Sequence, residues 1–125
     1  MDFNDTPEEA KFRKEVSDWL KENVKKIPEA KDTSENSSLE RARAWMQIKH
    51  ESGWACLHWP KEYGGRDAAP MERVIYSQEE SKYRLPNGFY EIGQGMAGPV
   101  MMMYATEDQK EKFLPPMANG KEIWC

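Results

Sequence analysis

Three helix-start signals constrain this chain more than any other feature of its sequence. Thr6-Pro7-Glu8-Glu9, Ser37-Ser38-Leu39-Glu40 and Thr106-Glu107-Asp108-Gln109 each place a hydroxyl residue three positions before a glutamate or glutamine. In such a capping box, the hydroxyl accepts the N–H of the third helical residue, whose own side chain accepts the N–H of the cap. The sequence therefore predicts an all-α fold, with helices beginning close to these three points.

The spacing of apolar residues predicts which helix faces are buried. The residues expected inside are Phe12, Val16, Trp19, Leu20 and Val24 on the first helix, Ala42, Trp45 and Met46 on the second, and Met71, Val74 and Ile75 on the third. Pro28 should end the first helix, and Gly53 suits the C-terminal cap of the second. The third is expected to run from Pro70 to about Tyr83.

The last third of the chain is apolar and rich in glycine and methionine between Ile92 and Tyr104. This composition predicts a buried helix that starts near Gly98-Pro99, after a turn or a short helix. The next helix should stop at Pro115-Pro116, because proline lacks the N–H that continues a helix. The residues from Lys121 to Cys125 look like the beginning of a β-strand.

Composition excludes several classes of protein. The chain has 125 residues and a net charge of −4, which argues against a nucleic-acid partner. No apolar run approaches the roughly 18 residues of a membrane span, and the acidic N-terminus argues against a signal peptide. Two cysteines and five tryptophans favour an apolar core over a disulfide framework. We therefore expect a cytoplasmic protein without membrane contact.

The residues that most often carry chemistry form no recognisable constellation. His50, Cys56 and His58 do not have the spacing of a zinc site, so we predict no metal, an exposed His50, and a His58 that packs beside Trp59. Tyr63-Gly64-Gly65-Arg66 lacks the lysine and spacing of a phosphate loop and is better explained as a tight turn. The sequence predicts no catalytic residue.

The segment Gly93–Met103 has two interpretations. Its glycines allow close approach to the backbone and its methionines form adaptable walls, so it could line a pocket for a flexible alkyl chain. Alternatively, Met101, Met102 and Met103 fill a helical core, which the physical argument alone favours.

Three segments, in order, resemble the acyl-CoA dehydrogenase family. Gly53-Trp54 followed by Trp59-Pro60-Lys61-Glu62-Tyr63-Gly64-Gly65 is similar to a motif of that family, as is Gly98-Pro99 followed by the run from Tyr104 to Pro115. The run Gly120–Cys125 resembles the approach to the first strand of the family's β-domain. One departure is Ala105, where the family usually has glycine, and alanine would alter the turn if its φ were positive.

The resemblance implies a helical N-terminal domain at residues 1–120 and the start of a β-domain at 121–125. It implies that the complete enzyme oxidises an acyl-CoA thioester to the 2,3-enoyl-CoA. A glutamate in the C-terminal region would remove the α proton while FAD accepts the β hydride. None of these catalytic or FAD-binding groups is expected within these residues, so the 125-residue chain alone should be inactive and bind no FAD. The residues nearest the acyl chain are expected to be Gln94, Met96, Ala97, Val100 and Met101.

Two functional hypotheses follow from this sequence. In the first, the chain is part of an acyl-CoA dehydrogenase that binds an acyl-CoA substrate and forms a homo-oligomer. In the second, it is a stand-alone helical interaction module with the same fold and no catalysis, because it lacks catalytic groups. Flavin absorbance of a protein that carries the downstream sequence would separate the two.

Overall fold

The computed structural model describes residues 4–125 as an assembly of helices without a strand among them. The all-α prediction is therefore confirmed. The α-helices are α1 (Pro7–Asn23), α2 (Glu35–Glu51), α3 (Pro70–Glu80), α4 (Gly98–Tyr104) and α5 (Glu107–Ala118). Short 3-10 turns occupy Val24–Lys26 and Lys61–Tyr63, and a π-helical turn occupies Gly93–Ala97.

Two of the three predicted capping boxes form where the sequence places them. The Thr6 hydroxyl accepts the Glu9 N–H at 3.2 Å, and the Glu9 carboxylate accepts the Thr6 N–H at 3.1 Å. Thr106 and Gln109 make the same pair at the start of α5, at 3.2 and 3.0 Å. Each box satisfies two N–H groups that the first helical turn leaves without partners.

The second box was predicted three residues too late. The cap of α2 is Ser34, whose hydroxyl accepts the N–H of Ser37 at 3.2 Å. Asp32 favours this start because its carboxylate accepts the Ser34 N–H at 2.7 Å and tightens the preceding turn. Ser37 is instead a buried helical residue, and its hydroxyl accepts the N–H of Lys31.

The end of α2 has the predicted glycine cap. Gly53 has φ +78°, and its N–H donates to the carbonyl of His50 while the Trp54 N–H donates to that of Lys49. This pair of bonds is the Schellman motif, which requires a left-handed residue after the helix. It turns the chain back toward the interior at Trp54.

The connector between α2 and α3 is the most buried irregular segment. Trp54 and Leu57 pack in one apolar cluster with Val16, Leu20, Trp45 and Tyr76. Ala55, Cys56 and Trp59 pack in another with Ala42, Met46, Leu114 and Met117. The connector therefore joins the α1–α3 side of the molecule to the α5 side.

The inward face of α3 was only partly predicted. Ile75 is fully buried, but Met71 and Val74 are 50% and 47% exposed, so these two predictions were wrong. The helix instead buries Tyr76, which stacks on Trp54 with ring centroids 5.6 Å apart. An aromatic pair buries more apolar area than the two aliphatic side chains would, and this fixes the rotation of α3.

Helix α5 continues through Pro115 and Pro116, contrary to the prediction that it ends there. These prolines leave the carbonyls of Glu111 and Lys112 without helical donors, but both residues are solvent-exposed. Three buried side chains keep the last turn helical: Leu114, Met117 and Ala118.

The residues after α5 form neither helix nor strand. A strand exists only through hydrogen bonds to a neighbouring strand, and the described chain offers none to residues 121–125. Trp124 packs edge-on against Phe113 of α5, with ring centroids 5.5 Å apart. The domain boundary between residues 120 and 121 stays a prediction.

Candidate functional site

The segment singled out by the sequence folds as a π-helical turn that continues into α4. The π turn covers Gly93–Ala97, and α4 begins at Gly98, as predicted. The Gly98 N–H donates to the carbonyl of Gly93, five residues back. A π turn holds one residue more than an α-helical turn and is often found at functional sites.

The five predicted pocket residues do not converge on one cavity. Gln94 is buried, and its side-chain amide donates to the Met117 carbonyl at 3.1 Å. Met96 and Val100 point the other way and are 65% and 55% exposed. Ala97 and Met101 are half-buried against the cluster that contains Trp59.

The prediction of a buried helix was wrong for α4. Gly98 is its only buried residue, and Met103 and Tyr104 are 72% and 77% exposed. The uncovered apolar side chains form a surface that we call the α4 face: Ile92, Met96, Val100, Met103 and Tyr104. Single exposed apolar residues are ordinary, but a group of them on one side of a helix is typical of a surface that contacts a ligand or another polypeptide.

Trp59 packs against the buried side of this helix. Its indole N–H donates to the Gln94 carbonyl at 2.8 Å, and His58 Nε2 lies 3.1 Å from the same oxygen. The ring lies against the helix backbone, because a Cβ on Gly98 would be 2.3 Å from Trp59 Cζ2. A Cβ on Gly65 would be 1.9 Å from the Trp59 carbonyl oxygen. Both glycines are therefore required for the close approach of Trp59.

These two donors were not predicted from the sequence. His58 was expected to pack beside Trp59, but neither residue was expected to hold residues 93–103. One signal was available, because Pro99 has no N–H and must leave an upstream carbonyl without its helical partner. The identity of the replacement donors depends on tertiary contacts across 35 residues.

A cleft of about 270 Å³ lies beside Gln94, and no residue of the α4 face lines it. It is bordered mainly by α2 and by residues 86–91, and its lining also includes Gly95 and His58. Met96, Ala97, Val100 and Met101 do not line it. The cleft and the α4 face are thus separate features, with Gln94 belonging to the first.

The His58 ring is neutral near pH 7. Burial lowers its pKa and the positive charge of Arg73 lowers it further, while the contact with the Gln94 carbonyl raises it. A carbonyl oxygen only accepts hydrogen bonds, so Nε2 carries the hydrogen in this contact. His58 therefore acts as a neutral donor.

The other two side chains that were considered as metal ligands, His50 and Cys56, are at least partly buried. His50 is half-buried, with Nδ1 enclosed, and is not the exposed helix residue that was predicted. Cys56 is buried, and burial raises the pKa of its thiol to about 12 despite the opposing charge of Lys49. Within residues 4–125 no three histidine, cysteine or acidic side chains are grouped so as to hold a metal ion.

The chain matches a known protein family over nearly its whole length. Residues 6–121 match the family described as "Acyl-CoA dehydrogenase, N-terminal domain". This chain belongs to the acyl-CoA dehydrogenase family. It corresponds to the helical N-terminal domain of these oxidoreductase flavoproteins, as the resemblance predicted.

Several relatives of the acyl-CoA dehydrogenase family match nearly the whole chain. The acyl-CoA dehydrogenase IpdE1 of Mycolicibacterium smegmatis is 34% identical over 119 residues, which cover 91% of this chain and 30% of the relative. A solved structure described as "Tcur3481-Tcur3483 steroid ACAD" has a TM-score of 0.73 at 26% identity and covers 98% of this chain. The ChsE4-ChsE5 complex from Mycobacterium tuberculosis has a TM-score of 0.68 at 27% identity and covers 96% of this chain.

The chain spans about a third of the length of these relatives: 32% of the first solved chain and 30% of the second. Ala105 departs from the family motif, which usually has glycine there, but its φ of −76° is one that any residue adopts without strain. Among the helices of residues 4–125, none combines the length and the apolar character that crossing a bilayer requires.

Proposed function

We propose that this chain is the N-terminal part of a FAD-dependent acyl-CoA dehydrogenase that oxidises an acyl-CoA thioester to the 2,3-enoyl-CoA. Residues 121–125 would begin the next domain, and the complete protein would act in the cytoplasm. The 125 residues contribute part of the wall of the acyl pocket and are inactive alone. Gln94, Met96, Ala97, Val100 and Met101 are the proposed wall residues.

One observation carries this proposal: the α4 face is apolar and uncovered in a domain of this family. Met96 and Val100 lie four residues apart on one side of the helix and are more than half exposed. Leaving such side chains in water is unfavourable by roughly 25 cal/mol per Å² of apolar surface. An acyl chain, or the polypeptide that encloses it, would remove that surface from water.

The exposed side chains of the α4 face do not fit FAD itself. Four of its five side chains, Ile92, Met96, Val100 and Met103, are apolar and provide no donor for a diphosphate, and the Tyr104 hydroxyl is a single uncharged donor. We therefore assign this chain no FAD contact and no catalytic residue. FAD belongs to the proposal for the complete protein only.

The first test uses the complete polypeptide that contains this chain. We expect flavin absorbance at one FAD per polypeptide, and reduction of an artificial electron acceptor that depends on added acyl-CoA. Absence of flavin and of acyl-CoA oxidation would contradict the proposal and favour a stand-alone helical interaction module.

A second test addresses the pocket wall. Met96→Trp in the complete protein should reduce kcat/KM for long acyl-CoA substrates more than for short ones, because the larger ring fills space that a long chain needs. The matched control is Met71→Trp, at a methionine that is 50% exposed on α3. Equal effects of the two substitutions would count against a role for Met96 in the wall.

We also propose that the complete protein forms a homo-oligomer. Support for association comes from the two solved relatives, each described by two subunit names, ChsE4-ChsE5 and Tcur3481-Tcur3483. That the associating subunits are identical here is part of the proposal. Light scattering of the complete protein should give at least a dimer, and a monomer at high concentration would contradict this. The 125-residue chain alone should also associate through the α4 face but bind no stoichiometric flavin.

A further inference from the structure

The Gln94 carbonyl is released from the helix by two adjacent features. In an α-helix, it would accept the N–H of residue 98. Here the Gly98 N–H donates to Gly93 instead, and the next residue, Pro99, has no N–H to offer. An orphan carbonyl in the interior is unfavourable unless another donor reaches it.

Two side chains from the connector supply the missing donors. Trp59 Nε1 donates at 2.8 Å and His58 Nε2 lies at 3.1 Å from the Gln94 oxygen. The Gln94 side chain is held independently, since its Nε2 donates to the Met117 carbonyl and lies 3.3 Å from Met46 Sδ. Gln94 is thus tied to the connector, to α2 and to α5.

The connector holds the backbone that carries Met96 and Val100. Met96 lies two residues after Gln94, whose carbonyl accepts the two connector donors. Val100 lies two residues after Gly98, whose backbone packs against the Trp59 ring. Both side chains are exposed on the other side of the helix, and their spacing of four residues keeps them together there. The contacts that hold the π turn therefore also fix the positions of Met96 and Val100.

We propose that Trp59 and His58 are positioning residues for acyl-chain specificity. Their hydrogen bonds to the Gln94 carbonyl stabilise the π turn, and the π turn orients Met96 and Val100 toward the acyl chain. This inference rests on the function proposed above. Neither residue touches the substrate in this arrangement.

The test measures specificity in the complete protein. Trp59→Phe removes the indole donor while keeping an aromatic ring, and His58→Leu removes the second donor.

The readout is the ratio of kcat/KM for a long and a short acyl-CoA. Loss of folded protein lowers both values equally, so the ratio is insensitive to stability alone. We expect each variant to change the ratio by about 3- to 10-fold, equivalent to one hydrogen bond.

The matched control is Trp54→Phe. Trp54 is also buried, at 3% exposed, but belongs to the other apolar cluster and stacks on Tyr76. The ratio should stay unchanged in this variant. An unchanged ratio in both Trp59→Phe and His58→Leu, or an equal change in Trp54→Phe, would overturn the inference.

A spectroscopic measurement separates this inference from the proposed function. The ¹³C resonances of the Gly93 and Gln94 carbonyls should move in Trp59→Phe and not in Trp54→Phe, because the carbonyls exchange partners when the π turn relaxes. If the unsubstituted protein oxidises no acyl-CoA, the proposed function fails. The carbonyl resonances still test whether the connector holds the π turn, and unmoved resonances in Trp59→Phe would refute that role of Trp59.

Discussion

The indole nitrogen of Trp59 donates a 2.8 Å hydrogen bond to the main-chain carbonyl of Gln94, 35 residues further along the chain. This bond joins the buried connector to the helix that carries the apolar α4 face. The bond is buried, so water would not take the place of the donor or the acceptor if one of them were removed. The close packing that makes it possible leads to the first prediction.

Gly98→Ala should lower the free energy of unfolding by about 1–3 kcal/mol, the usual effect of overpacking. The new Cβ would lie 2.3 Å from Trp59 Cζ2, so the ring or the helix must move. Gly95→Ala is the control, because no heavy atom lies within 4 Å of its added Cβ. It should be neutral or stabilise by up to about 1 kcal/mol. Urea unfolding followed by circular dichroism measures both, and equal midpoints would contradict the prediction.

The buried carboxylate of Glu79 should make stability fall in acid. Glu79 is 3% exposed, and its Oε2 lies 3.1 Å from Arg13 Nη1 and 2.8 Å from Lys82 Nζ. Burial raises its pKa, but the hydrogen bonds and charges of Lys82 and Arg13 outweigh burial and lower the pKa overall. The stabilisation is therefore complete above the unfolded pKa of about 4.3 and is lost as the pH falls through the lower folded pKa.

Glu79→Gln should lower the free energy of unfolding at pH 7 by about 1–3 kcal/mol and flatten its decline in acid. Asp18→Asn is the control, because the Lys14–Asp18 pair is 77% and 65% exposed. Removing that exposed pair should cost less than about 1 kcal/mol. Thermal unfolding between pH 7 and pH 3 measures both, and parallel pH profiles for Glu79→Gln and the unsubstituted chain would rule out this role.

The prolines of α5 and α3 should respond in opposite directions to alanine. Pro115 lies inside α5 and deprives the Glu111 carbonyl of a donor, so Pro115→Ala should raise the free energy of unfolding by about 1 kcal/mol. Pro70 begins α3, where proline is favoured, so Pro70→Ala should lower it by up to about 1 kcal/mol. Urea midpoints that shift in the same direction for both variants would be incompatible with this account.

The two cysteines should differ in reactivity. Cys125 is exposed, whereas Cys56 is 7% exposed and burial raises its pKa to about 12. Thiolate is the reactive form, so an aromatic disulfide reagent at pH 8 should label Cys125 quickly and Cys56 only after unfolding in guanidinium chloride. The variant Cys125→Ser isolates the second thiol. Rapid labelling of that variant in its folded state would contradict the buried position of Cys56.

The sequence by itself determined the features that depend on neighbours within four residues. The Thr6 and Thr106 caps, the glycine end of α2 at Gly53 and the start of α3 at Pro70 all involve local hydrogen bonds or backbone restrictions. Even here competition between nearby hydroxyls decided the outcome, since Ser34 rather than Ser37 caps α2. The ordered motifs also indicated the family, which the match over residues 6–121 confirmed.

The tertiary structure decided what depends on distant partners. Tyr76 stacks on Trp54, so α3 buries a different face from the predicted one. Burial of Met117 in the last turn keeps α5 helical beyond its two prolines. Trp59 and His58 supply hydrogen-bond donors for the Gln94 carbonyl, which the π turn and Pro99 leave without a helical partner. These outcomes balance local preference against burial and hydrogen bonds from residues far away in sequence, and only the folded chain brings those residues together.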